Sequence, residues 1–280
     1  MDKKMLPVGL DSFEKIRRLG YYYMDKTLLI QDVLTNRGDV NLFTRPRRFG
    51  KTLDMDMLRV FFEKTEEDTS VYFQDKKIWR CGSAYQAYQG KYPVIFLTLK
   101  SAKQPDFEMA YGALADEIYN EFMRHRYVLQ SDALLPIEKE RYENLLNRRA
   151  DEKEVAKAFA FLSECLFKYH GKNTIILIDE YDVPLENAYF RGFYDKMIDF
   201  IRSLFESALK TNPYLERSVI TGCLRISKES IFTGLNNLKV DSVLRTEYGD
   251  SFGFTESEVE AMLTYYDLAA ELPEVKRWYD

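Results

Sequence analysis

Asp39-Val40-Asn41-Leu42-Phe43-Thr44-Arg45-Pro46-Arg47-Arg48-Phe49-Gly50-Lys51-Thr52-Leu53 reads as an apolar strand, a basic loop and the start of a helix in immediate succession. Val40, Leu42 and Phe43 supply the strand, and Leu53, Met57, Leu58, Phe61 and Phe62 recur at helical spacing after the loop. The first backbone N–H groups of such a helix have no intrahelical partner and carry the positive end of its dipole. A strand that feeds Gly50-Lys51-Thr52 into a helix start therefore favours an anion at that point.

The spacing is that of a phosphate-binding loop, G-x-x-x-x-G-K-[ST], with one departure: Arg45 stands where the first glycine belongs. Glycine there lets the loop turn tightly, and an arginine follows the same path only in an allowed backbone conformation. In the phosphate reading Lys51 reaches the β and γ phosphates and the Thr52 hydroxyl completes Mg2+ coordination. Gly50-Lys51-Thr52 alone equally describes a surface turn with a solvated lysine.

The context comes from Thr174 to Ile178, a β-branched run that ends in Asp179, Glu180, Tyr181 and Asp182. A continuous apolar strand is buried on both faces, as in the centre of a parallel sheet. Its two leading carboxylates then sit at the rim where open α/β sheets bind ligands. Asp179 is expected to hold Mg2+ and Glu180 to orient the attacking water, with Asp182 in support. Two acids in a solvent-facing loop are the plain alternative. An earlier strand carrying Gly50-Lys51-Thr52 favours the nucleotide reading.

The 280 residues, 46% apolar, suffice for a large core, and a net charge of −5 argues against a general nucleic-acid coat. The basic residues are local: Arg45, Arg47, Arg48 and Lys51 form the densest group, for which a phosphate chain is the expected partner. Cys81, Cys165 and Cys223 lie far apart and His125 and His170 are isolated, which argues against a zinc site. The N-terminal residues lack the apolar core of a signal peptide, and nothing approaches the ~20 apolar residues of a membrane helix. The cytoplasm is the expected compartment.

Around these motifs the order reads β, α, β, α, α, β. Phe13, Ile16 and Leu19 mark a short helix capped by Asp11 or Ser12, and Leu28 to Leu34 a second. Tyr21, Tyr22 and Tyr23 precede the first strand, where packing is the expected role and stacking on a base the alternative. Tyr92 to Leu99 is a strand; helical stripes follow at 107–128 and 155–169, with 131–151 expected as a polar surface connection holding some helix. Pro184 is expected to end the acidic turn before a helix from Tyr194 to Ala208. Ser218 to Gly222 forms a further strand whose tip carries Thr221, then Arg225 and Lys228, facing either the γ phosphate or solvent. A weak strand runs through Val240 and Val243, and Thr255 with Glu258 forms a capping box.

Met24-Asp25-Lys26-Thr27, Arg45 to Leu53 and Ile178 to Leu185 together resemble the bacterial AAA-ATPase-like family. Thr221-Gly222, Lys228 to Phe232 and Phe252-Gly253-Phe254-Thr255 fit it as well. The resemblance makes Arg45 a family trait and implies an α/β fold: a P-loop NTPase three-layer α/β/α sandwich with a mainly parallel sheet of order 5-1-4-3-2. An ATPase domain over 1–249, with a helical lead-in at 1–38, is expected before the start of a helical lid at 250–280.

ATP and Mg2+ are the implied cofactors. The expected nucleotide-binding residues are Arg47, Arg48, Phe49, Gly50, Lys51, Thr52 and Leu53; Thr52 and Asp179 hold the metal, and Glu180, Lys51 and Arg225 serve catalysis. Family members usually continue into a PD-(D/E)XK nuclease-like domain, so the chain is expected to be a fragment that meets nucleic acid through that missing domain. No membrane partner is expected. An oligomer is open, with Arg217, Arg225 or Arg245 as a finger toward a neighbour's nucleotide. Alternatives to hydrolysis are a nucleotide-dependent switch with little turnover and a phosphate or nucleic-acid scaffold.

Overall fold

A computed structural model describes residues 3–35, 38–224, 231–232, 238–242 and 249–279. Strand β3 (Thr174–Asp179) is buried at every position. Ile175 and Leu177 enter one hydrophobic core, Ile176 and Ile178 the other. A strand apolar on both faces requires a helical layer on each. On one side lie α1 (Phe13–Arg18), α2 (Leu28–Thr35) and α3 (Lys51–Phe62), packed on Phe43 of β1 (Val40–Thr44) and Val94 of β2 (Val94–Thr98). On the other lie α4 (Phe107–Arg124), α5 (Pro136–Leu146) and α6 (Ala158–His170), whose core includes Leu42, Ile95 and Leu97.

Helix α7 (Val183–Arg191) follows β3, and α8 (Tyr194–Phe205) leads to β4 (Leu215–Gly222) and β5 (Leu238–Ser242). The five strands lie in the order β2-β3-β4-β1-β5, all pairs parallel, which read from the other edge is the expected 5-1-4-3-2. The protein is a P-loop NTPase-like α/β sandwich. Register sets Thr44 beside both Gly222 and Ser242, and Thr98 beside Asp179, so the strands' carboxyl ends form one rim.

Two expectations change. Residues 131–151 are more than a surface connection: Tyr142 and Leu145 of α5 are buried, and the Tyr142 hydroxyl donates to Phe122 O at 2.8 Å. Pro184 does not end a turn but lies in the first turn of α7, where no N–H is needed and its fixed φ suits the helix. Of the 228–232 motif, only Ile231 and Phe232 are among the described residues, and both are buried. Val243 lies outside them.

Helix α9 (Glu256–Tyr265) opens on the capping box of Thr255 and Glu258, and α10 (Leu272–Tyr279) follows it. Glu258 reaches beyond its own cap: Lys26 Nζ lies 2.6 Å from its Oε2 and donates to Asp250 O at 2.7 Å. Tyr22 packs on Tyr265 and Tyr266, so the C-terminal segment closes over the lead-in beside the loop.

Candidate functional site

The loop explains its own missing glycine. Its left-handed positions are Arg48 (φ 69°) and Gly50 (φ 81°), not Arg45. Arg45 needs no glycine freedom, and its side chain leaves the loop toward β5. There its guanidinium pairs with Asp241 Oδ1 at 2.6 Å, donates to Thr44 O at 3.0 Å and lies 5.1 Å from the Phe252 ring centre. Both partners are almost fully buried. Arg45 therefore anchors the loop and is set apart from the exposed Arg47 and Arg48 with which its sequence position grouped it.

Lys51 is also buried, with Nζ donating to Arg45 O at 3.1 Å and Pro46 O at 3.0 Å, beside Cys223 Sγ at 3.3 Å. The ammonium thus sits inside the loop's curve, held by the loop's own carbonyls. Arg47 and Arg48 stand exposed on the crest, Arg47 Nη2 3.6 Å from Glu186 Oε2. Phe49 is partly exposed and its carbonyl accepts from Gly253 N at 3.0 Å, while Leu53 is half-buried at the start of α3.

Three elements meet at Asp179. Its Oδ2 accepts from Thr52 Oγ1 at 2.7 Å and its Oδ1 from Thr221 Oγ1 at 2.5 Å. The first turn of α3, the end of β3 and the end of β4 are joined through one carboxylate. Asp182 holds the same corner from behind, its Oδ2 accepting from Cys223 N at 2.9 Å and Leu224 N at 2.7 Å. Gly222 packs against Tyr181 and Asp182 so closely that a Cβ would stand 2.6 Å from both.

Glu180, directly after Asp179, adopts a left-handed conformation (φ 58°). It faces an open cleft of about 730 Å³ whose wall includes Arg47, Arg48, Lys100 and Lys103. Burial raises the Glu180 pKa, the charges of Asp179 and Asp182 add to the rise, and Lys51 and Lys100 oppose it. Lys100 and Lys103 escaped the sequence reading, although they follow Thr98 at the same rim as Asp179. Arg225, Lys228 and Arg245 lie outside the described residues. Arg217 is tied down, donating to Val33 O at 2.6 Å. Among the described residues no helix is long and apolar enough to cross a membrane.

No solved structure matches the chain. A protein of Azotobacter chroococcum mcd 1 described as an "Uncharacterized protein in vnfD 5'region" is 27% identical over 288 residues, spanning 100% of this chain and 49% of its own length. The chain thus covers about half of that curated relative. Residues 7–232, which hold the loop, the acidic strand and the Asp179 corner, match the AAA-ATPase-like family, described as a predicted AAA-ATPase. The chain belongs to the AAA-ATPase-like family.

Proposed function

We propose that the chain binds ATP with Mg2+ at the 45–53 loop and hydrolyses it. The observation that carries this reading is the Thr52–Asp179 contact at 2.7 Å directly beside the buried Lys51. A hydroxyl and a carboxylate side by side are the hard oxygen donors that Mg2+ prefers. When bound, Mg2+ neutralises charge on the β and γ phosphate oxygens.

The chain's own groups do the rest. Lys51 exchanges two neutral carbonyl acceptors for charged phosphate oxygens, which make stronger hydrogen bonds with an ammonium. Thr221 keeps Asp179 turned toward Thr52. Glu180, partly desolvated and with a raised pKa, orients a water in the cleft and takes its proton. Arg47 and Arg48, which line the same cleft as Glu180, are proposed to meet the terminal phosphate, and Arg225 with them.

Residues 250–280 are read as the start of a helical lid over a domain at 1–249. Turnover would drive or gate a nuclease-like domain of the kind the resemblance implies, which is compatible with the chain covering half of its relative.

The test is turnover and thermal shift in wild type, Lys51→Ala and Glu180→Gln, with and without Mg2+. Ligand at a hundred times its Kd adds roughly 2.7 kcal/mol of stability. Lys51→Ala should abolish that shift. Glu180→Gln should keep it while turnover falls about 10²- to 10⁴-fold. A shift that survives Lys51→Ala would place the nucleotide elsewhere.

A further inference from the structure

The cleft beside Glu180 carries more positive charge than a terminal phosphate alone accounts for. Arg47, Arg48, Lys100, Lys103 and Arg191 line it against only Glu180 and Glu186, in a chain whose net charge is −5. Arg48, Lys100, Lys103 and Arg191 are exposed, and among the described residues none of the four forms an ion pair. Like charges gathered on one cleft repel, and an anionic ligand relieves that repulsion. Arg47 and Arg48 are assigned above to the nucleotide; Lys100, Lys103 and Arg191 are not.

The wall that carries them is held in shape. Val183, Glu186, Asn187, Phe190 and Arg191 recur at three- and four-residue spacing, so one face of α7 forms it. The Asn187 side chain donates through Nδ2 to Gln104 O at 2.5 Å, which ties α7 to the segment bearing Lys100 and Lys103. Phe190 is 77% exposed and the adjacent Tyr189 71%. Their rings meet edge to face with 5.7 Å between centres, and Tyr189 meets Tyr194 in the same way at 6.1 Å. An edge-to-face pair covers at most one face of one ring, so Phe190 keeps a face open to a ligand. Neighbouring large rings left on the surface mark a binding site.

We propose that this cleft binds single-stranded nucleic acid, with backbone phosphates on Lys100, Lys103 and Arg191 and a base stacked on Phe190. The proposal goes beyond the nucleotide reading of the loop and does not depend on it. Cations alone suit any anion. The exposed rings favour a nucleic acid, because every base has a face that stacks on an aromatic side chain whatever the sequence. A duplex hides those faces in its own stack, and an acidic peptide has none. The chain's negative balance confines such binding to this cleft.

The experiment titrates a fluorescent oligo(dT) of about 20 nucleotides with the whole chain, without nucleotide, and follows anisotropy between about 50 and 200 mM salt. Wild type should bind with a Kd of about 1–100 µM and a log–log salt slope of about −2 or steeper, roughly −0.7 for each phosphate contact. The double variant Lys103→Ala/Arg191→Ala should flatten the slope by about 1.4. Phe190→Ala should weaken binding about 5- to 150-fold with the slope unchanged, and Phe190→Tyr, which keeps the ring, should bind as wild type does. These side chains are exposed, so the fold is not at stake. Lys51→Ala should bind the strand normally; loss of binding there would move the strand to the phosphate loop and overturn the proposal. No binding by wild type at about 50 mM salt overturns it too. So does full affinity in Phe190→Ala, or an oligo(dT)·oligo(dA) duplex binding as tightly as the single strand. Equal affinity for polyglutamate would make the cleft a site for acidic peptides instead.

Discussion

Restoring the missing loop glycine should damage the protein rather than improve it. Arg45→Gly removes one partner of a buried ion pair and leaves Asp241, 1% exposed, without the cation that lies 2.6 Å away. Breaking a buried pair from one side costs about 3–5 kcal/mol, because the remaining charge is stranded away from water. The lost contact with Phe252 and the added backbone freedom of glycine act in the same direction. At about 2 °C per kcal/mol for a chain of this size, the melting temperature should fall by about 6–10 °C. Scanning calorimetry of Arg45→Gly and of the double variant Arg45→Met/Asp241→Leu provides the check. The double variant should recover most of the loss, since replacing both members of a buried pair with apolar groups is often neutral or stabilising. If Arg45→Gly melts like wild type, Arg45 is not the loop's anchor. If the double variant is no better than the single one, the ion pair is not the cause.

Glu180 must be ionised to take a proton from water and its pKa is raised, so the acid limb of the kcat profile should lie above the ordinary glutamate value of 4.5; a limb at or below that value would remove Glu180 as the base. Gly222→Ala forces a Cβ to within 2.6 Å of Tyr181 and Asp182, and should cost about 1–3 kcal/mol by overpacking while reducing turnover through displacement of Thr221. An unchanged melting curve would show that the corner has room. Burial raises the Asp54 pKa well above the 3.8 at which the unfolded chain ionises, so the fold holds the extra proton between the two values and loses stability as pH rises through that interval. Asp54→Asn removes that loss, and its melting temperature should gain on wild type as pH increases; a gap that does not change with pH would mean that the carboxyl is ionised in the fold.

Much of this architecture was written locally. The strand, loop and helix of 39–62, the all-apolar β3 and the capping box at Thr255 each depend on residues within a few positions of one another, and periodicity reveals them. Gly50 before Lys51 and Thr52, and the acids after Ile178, marked the rim formed by the strands' carboxyl ends. Helix α7 was missed because Pro184 reads as a terminator unless its place in a first turn is known. The partners of these residues were beyond sequence reading. Arg45 meets Asp241 across 196 positions, Thr221 meets Asp179 across 42, and a cavity beside Asp54 draws on both ends of the chain. A sequence shows which face of an element is apolar; which distant side chain lies opposite a given charge follows only when strand order and register bring the elements together. The residue at the first glycine position was plain from the sequence alone, but its role as an anchor to β5 depends on the neighbour that the sheet places beside it.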